Sequence, residues 1–326
     1  MSKILGVGAA LVDLLSEVND SWVESQGFGK GGMNLVEWPS IEKMLTTLSQ
    51  PETVPGGSAC NTIRGLARLG GDTAFLGKVG SDDLGQLFRK SLLSSNVESR
   101  LVESATPTGR VLSAVTPDAQ RSMYTFLGAS AETVPADLTS KVFEQIGMIY
   151  MEGYLAYNAP WFTAVIAAAR KANIPLAFDF GSFNVVEHNR ALLDDTFAVA
   201  PFEVLIANED EAKAFTGLEG EEALRKMMPY AKIAVVKLGK DGALIGQNGN
   251  IVRVSAFVVQ AVDTTGAGDL WAAGFLYGLL KGWSNSQSGL LASRVASEVV
   301  QVMGPMIPDA GWTRILASAE FNAHLA

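Results

Sequence analysis

Cysteine is almost absent: the 326 residues contain one, Cys60. No intramolecular disulfide can form, which fits a reducing compartment. Histidine is nearly as scarce, with only His188 and His324. Neither sits in a recognisable partner motif for a thiol nucleophile, so Cys60 reads as a small packing residue. Basic residues are in deficit, 25 Lys and Arg against 34 Asp and Glu, for a formal net charge of −9. That balance argues against nucleic acid as a partner, because a phosphate backbone needs cationic surface. No apolar run reaches the ~20 residues of a membrane span. The N-terminus, Met1-Ser-Lys-Ile-Leu-Gly-Val-Gly8, lacks the long apolar region and cleavage site of a secretion signal. The expected setting is cytoplasmic and away from membranes. Internal repeats, low-complexity tracts and linkers are also missing.

What is present is material for a core. The chain is 48% hydrophobic and 18% charged, enough for one large α/β domain or two small ones. Lys3–Gly8 reads as a central strand and Leu11–Val18 continues with strand-like composition. Gly6-Val-Gly-Ala-Ala-Leu11 lacks the third glycine of a dinucleotide fingerprint, and no helix follows it directly. Phe28–Leu35 reads as a glycine-rich loop or hairpin, and Ile41–Leu48 as a short helix. A helix over Ser58–Leu69, a strand over Ala74–Val79 and a helix capped by Ser81 or Asp82 follow. Arg110–Thr116 and Ser122–Leu127 read as a hairpin. From Gly147 onward strands (Met148–Met151, Pro175–Asp179, Val204–Ala207, Ile233–Leu238) alternate with helices such as Ala159–Lys171 and Asn208–Phe215. Such alternation predicts a parallel sheet with helices on both faces. Ala243–Gly246 and Ile251–Val254 form a hairpin around Asn248-Gly249. Helices over Ser284–Met303 and Trp312–Ser318 close the chain.

The chemistry concentrates in Asp263-Thr-Thr-Gly-Ala-Gly-Asp269, which leads into a small-residue apolar helix. Gly266, Ala267 and Gly268 stand at the helix start, where backbone N–H groups lack intrahelical partners and the dipole is positive. An anion, above all a phosphate, suits that position. Asp269 stands in the first turn. Read by itself, it is an ordinary helix N-terminal carboxylate after a tight turn. Gly56-Gly57 brings the backbone close to a neighbour, and Asn61 lies one turn inside the following helix. This too reads by itself as a loop–helix junction capped by Ser58. Asn208-Glu-Asp-Glu211 follows a strand and opens a helix, as an N-cap with acidic residues does. Lys237-Leu-Gly239-Lys-Asp-Gly242 ends a strand in a turn.

Together these segments resemble the ribokinase-like (PfkB) carbohydrate and nucleoside kinases. The resemblance runs in order from Asp13 through Gly56–Asn61, Asn208–Glu211 and Lys237–Gly242 to Asp263–Asp269. It implies a doubly wound α/β fold with a mostly parallel sheet. It also implies a single kinase domain over 1–326, with a small β lid built mainly from 12–36 and 105–128. The matching roles are Asp269 as the base for the acceptor hydroxyl and the Gly266–Gly268 amides as the hole for the migrating phosphoryl group. Asp13, Gly56, Gly57 and Asn61 would contact substrate hydroxyls, and Asp and Asn side chains suit a vicinal diol. Lys237, Gly239, Gly242 and Asn208 would touch ATP, and Asn208 and Glu211 the water shell of Mg²⁺. Asp263 and Thr265 would help hold a monovalent cation, K⁺ for example. Arg121, at the hairpin tip, would cover the phosphates on closure.

The implied reaction moves the γ-phosphoryl group of ATP to a primary alcohol. The Gly57-Ser-Ala-Cys-Asn-Thr62 run and the Arg121 segment lean toward the adenosine-kinase-like branch, with a ribonucleoside 5′-hydroxyl as acceptor. Phe28, Met33, Leu35 and Tyr124 are candidates to sandwich a base. Ribokinase, fructokinase and ketodeoxygluconate kinase types share the core motifs, and a silent binding protein on the same fold is the third reading. The sequence does not give the oligomeric state; a homodimer through the lid is one arrangement open to it.

Overall fold

Strands ending in polar residues and helices opening on caps set the frame, as a computed structural model describes it for residues 2–322 other than 31, 50 and 119. The central strand Lys3–Val7 is buried on both faces, and so are Ile146–Glu152, Leu176–Asp179, Phe202–Asn208 and Ala231–Lys237. Continuous apolar runs of this kind belong in a parallel sheet covered on both sides. They form a nine-stranded sheet. Its order is 250–254, 243–247, 231–237, 202–208, 176–179, 146–152, 3–7, 73–76 and 98–99. All neighbours are parallel except the hairpin 243–247/250–254, which adds two antiparallel strands at one edge.

Two cores result, one per face. Ile4, Tyr150, Ile206 and Val235 pack with the helices Ser58–Arg68, Ala267–Leu280 and Asn285–Val299. Leu5, Ile149, Phe178 and Leu205 pack on the other face with Ala159–Lys171, Arg190–Val199 and Gly220–Met227. From Lys3–Val7 the chain moves to one side, to Thr73–Leu76. It returns to the other side at Ile146–Glu152 and builds outward from there. The switch point therefore lies between Lys3–Val7 and Ile146–Glu152, and a crevice opens beyond their carboxyl ends.

A second sheet has the order 32–35, 121–126, 109–115, 11–17, 52–55. Alternation gives it two unlike faces. Val12, Leu14, Leu112 and Tyr124 point into the apolar core with Ile41 and Met44. Leu11, Asp13, Val111, Met123 and Thr125 point the other way, into a cavity.

Several elements differ from expectation for identifiable reasons. The strand expected over Ala74–Val79 is two. Thr73–Leu76 joins the main sheet, and Lys78–Gly80 pairs with Val102–Ser104 in a separate ribbon. The break falls at Gly77, where a Cβ would lie 2.8 Å from the Gly8 carbonyl oxygen. The last long helix stops at Val299 rather than Met303, because the Val300 carbonyl accepts from Val262 and Asp263 N–H. The helix expected over Ile41–Leu48 starts earlier, at Trp38, with Pro39 in its first turn where no N–H is needed. Asp82, not Ser81, caps Asp83–Ser94, its side chain accepting from Gly85 N–H. Among the described residues of 28–35, Gly32–Leu35 form a strand, which pairs parallel with Arg121–Phe126. No helix among the described residues is long and apolar enough to cross a membrane.

Candidate active site

Four adjacent parallel strands end at the crevice on polar residues: Glu152, Asp179, Asn208 and Lys237. The register pairs Glu152 with Asp179 and Asn208 with Lys237. Above these ends lies a cavity of about 800 Å³, closed by the second sheet and by the start of helix Ala267–Leu280. Asp13, Gly57, Asn61, Asn208, Glu211, Lys237, Gly266, Gly268 and Asp269 line it. The structure thus brings together residues separated by more than two hundred positions.

Asp269 is held from the helix Ser58–Arg68. Ser58 Oγ donates to its Oδ1 at 2.7 Å, and Asn61 Nδ2 donates to its Oδ2 at 2.9 Å. Burial raises its pKa above the ordinary aspartate value, against the pull of these two donors. Asn61, expected on a substrate diol, thus has its amide on Asp269 in this state. Gly266 adopts φ +76°, which starts the helix after a tight turn. The Ala267 N–H is taken by the Thr264 carbonyl at 3.1 Å, so Gly266 and Gly268 face the cavity and Ala267 does not.

Lys237 Nζ sits 2.9 Å from Asp179 Oδ2. A Cβ on Gly268 would lie 3.1 Å from this nitrogen, which places the ammonium at the mouth of the anion hole. Burial works to lower its pKa, but Asp179 and Glu211 outweigh that and leave it raised. Lys237 is therefore a fixed cation. Glu211 forms a capping box with Asn208: its two oxygens accept from Asn208 N–H at 2.7 Å and Nδ2 at 2.9 Å, and its own N–H donates to Asn208 Oδ1 at 2.8 Å. At 2% exposure, burial pushes its carboxyl up to about 7.

At the other end, a Cβ on Gly56 would lie 2.3 Å from Asp13 Oδ2, so only glycine leaves room for that carboxylate. Gly57 has φ +90°, and a Cβ there would lie 2.5 Å from the Ala9 carbonyl oxygen. Gly56 itself does not line the cavity. Nor do Gly239 and Gly242, which form a tight turn after Lys237 with φ +52° and +92°. Asp263 braces the loop before the helix. Its Oδ1 accepts from Thr265 N–H and Oγ1, and its Oδ2 from Gly304 N–H at 2.8 Å. Of the candidate base-sandwiching residues, Met33 and Leu35 line the cavity. Tyr124 lies on the opposite face of its sheet, edge-on to Trp22 and Phe28. The side chain of Arg121 lies outside the described residues.

The lining residues that were not anticipated include Ser58, Glu152 and Asp179. Ser58 read only as a cap, but Gly57 holds the N-cap position and the Ser58 hydroxyl is turned to Asp269 instead. Glu152 is 2% exposed, and its oxygens accept from Ala9 and Ala59 N–H, both at 2.7 Å. It stitches the switch-point loop to the helix carrying Asn61, and burial pushes it up to about 7. Asp179 holds Lys237. The available signal was a carboxylate closing an apolar run, Met-Glu152-Gly and Phe-Asp179-Phe-Gly. Cys60 is fully buried, and burial pushes its thiol up to about 12, which leaves it unreactive.

Residues 34–310 match the pfkB family of carbohydrate kinases. The structure is similar to that of a probable sugar kinase from Rhizobium etli, 33% identical with a TM-score of 0.89, over 98% of this chain and 99% of the other. It is also similar to an adenosine kinase from Sinorhizobium meliloti, 32% identical with a TM-score of 0.85, over 99% and 98% of the two chains. A 5-dehydro-2-deoxygluconokinase from Geobacillus kaustophilus is 28% identical over 75% of this chain and 78% of its own. With that match over most of its length, the chain belongs to the pfkB family and is a phosphotransferase with an alcohol group as acceptor.

Proposed function

We propose that the enzyme transfers the γ-phosphoryl group of ATP to the 5′-hydroxyl of a ribonucleoside, adenosine first among them. The observation that carries this reading is the wall of the acceptor end. Leu11, Met33, Leu35, Val111, Met123 and Leu127 offer an apolar slot suited to a base, and Asp13 sits among them to meet ribose hydroxyls. Similarity to the Sinorhizobium adenosine kinase points the same way. The sugar-kinase reading is favoured by the similarity to the Geobacillus enzyme. A sugar acid or sugar phosphate calls for a cation at the acceptor end. Among the described lining residues Lys237 is the one basic side chain, and it stands at the anion hole.

In this reading Asp269 accepts the proton of the acceptor hydroxyl as the oxygen attacks the γ-phosphorus and ADP leaves. Lys237 and the amides facing the cavity receive the charge of the transferring group, in a site where fixed dipoles act at low dielectric. Glu211, Asn208 and Asp179 suit a Mg²⁺ ion held through water. Two of the three are carboxylates on the cavity wall, and no cluster of three or more His, Cys, Asp or Glu side chains among the described residues makes a direct cage. When bound, Mg²⁺ neutralises phosphate charge. Asp263, Thr265 and the Gly304 loop are proposed to seat a monovalent cation behind the anion hole, and Arg121 to cover the phosphates. The test compares kcat/KM for adenosine, other ribonucleosides, ribose, fructose and ketodeoxygluconate at fixed ATP and Mg²⁺. Adenosine or a related ribonucleoside should lead. A free sugar ahead by tenfold overturns the nucleoside assignment.

A further inference from the structure

A buried arginine with no acidic partner stands directly behind the catalytic helix pair. Arg64 is 8% exposed on Ser58–Arg68, and among the described residues no carboxylate lies within ion-pair reach of it. Besides the neighbouring Cys60 thiol, three neutral acceptors offset the buried charge only in part. One NH donates to the Pro55 carbonyl at 2.9 Å, another meets the Met306 sulfur at 3.2 Å, and Nε reaches Ser95 Oγ only at 3.4 Å. A buried guanidinium left so poorly matched is costly, and the cost falls when an anion occupies the donors that remain. The neighbouring thiol of Cys60 cannot serve, since burial holds it protonated.

Beside Arg64 lies a small cavity of about 70 Å³, distinct from the large one. Arg64, Arg68 and Ser95 supply its donors, and Met306, Trp312 and Leu270 its apolar wall. Arg68 is already neutralised by Asp309 at 2.6 Å and lies 5.5 Å over the Trp312 ring, so the uncompensated charge is that of Arg64. The space suits one small ion and the apolar walls disfavour a strongly hydrated one. Asn61 lines this cavity as well as the large one, and its amide holds Asp269.

We propose that this cavity binds a small, weakly hydrated monovalent anion of the chloride class on Arg64, one side chain behind Asp269. Occupancy completes the charge balance of Arg64 and stiffens the helix turn that carries Asn61. Phosphate, larger and doubly charged, is not the occupant.

The test needs no assumption about the substrate. Thermal unfolding of the full chain is followed as chloride replaces gluconate at constant ionic strength and pH. A saturating rise in Tm of roughly 2 °C or more is expected, since an anion that binds only the folded state stabilises by mass action. Phosphate at matched ionic strength should give no such saturating rise. Arg64→Met should flatten the chloride response, and Arg64→Lys, which keeps the charge but loses the fork, should weaken it. Because Arg64→Met could fail to fold, crystals of the unaltered protein soaked in bromide give a second reading: an anomalous peak beside the Arg64 guanidinium. Equal curves in chloride and gluconate, a saturating phosphate response, an undiminished response in a folded Arg64→Met protein, or no bromide peak at Arg64 would each overturn the proposal.

Discussion

At the scale of single residues, two buried carboxylates make opposite demands. In the proposed reaction Asp269 accepts a proton, and its raised pKa, held in check by Ser58 and Asn61, suits a base that also has to lose that proton again. Asp269→Asn keeps the shape and removes the base. Steady-state kinetics should show kcat reduced by roughly 10²-fold or more while the acceptor still binds. A variant with near-normal kcat would show that the carboxylate is only a helix-end residue. Glu152 works for the structure instead. Its folded pKa, about 7, stands above the ordinary glutamate value of 4.5. Between those two pH values the folded chain keeps a proton that the unfolded chain has released. Its contribution to stability is therefore complete below about 4.5 and is lost as pH rises through about 7. Glu152→Gln should start from lower stability, because one backbone N–H loses its acceptor, but should fall less steeply over that window. Chemical denaturation at several pH values reads the slope. A slope equal to that of the parent protein would mean Glu152 is ionised throughout. Neither Glu152 nor Asp179 stood out from the sequence as a site residue. A carboxylate closing a buried apolar run is a weak local signal, and its meaning comes from which strands lie beside it.

Among elements, helix Ala267–Leu280 is held by contact with small residues on two sides. A Cβ on Gly274 would meet Ala292 Cα at 2.7 Å, and one on Gly278 would meet Ser288 Cα at 2.8 Å. From the other side, a Cβ on Gly65 would meet the Leu270 side chain at 2.7 Å. Gly274→Ala meets backbone, which cannot turn aside, so the two helices must separate. The expected loss is about 1–3 kcal/mol, the usual cost of overpacking, seen as a lower denaturant midpoint with an unchanged m-value. No loss would mean the pair slides freely. The sequence displayed this helix clearly, because Gly and Ala at helical spacing with an anion-hole turn before them have few other uses. It displayed the short strands Glu52–Pro55 and Lys78–Gly80 poorly. Those exist because a partner strand is available, and partners lie outside any sequence window. The capping box Asn208/Glu211 was visible as a spacing, and physics at the helix end accounts for it completely. A further role must therefore be tested directly. Glu211→Gln should raise the Mg²⁺ concentration for half-maximal rate if the carboxylate meets the metal's water shell. Unchanged Mg²⁺ dependence with a lower melting temperature would leave the cap as its whole function.

For the whole molecule, the order of motifs along the chain and the parallel sheet were legible. The division of labour between the two sheets was not. Which face of Gly109–Val115 and Arg121–Phe126 borders the cavity depends on register, and a shift by one residue would have put Tyr124 inside and Met123 outside. A consequence follows from the two bonds on Asp269. Ser58 and Asn61 stand 211 and 208 residues before it in the chain. The Thr265–Asp269 turn by itself does not orient that carboxylate, because both donors come from a helix distant in sequence. The aim of the Asp269 carboxylate therefore exists only where the two helices are packed together.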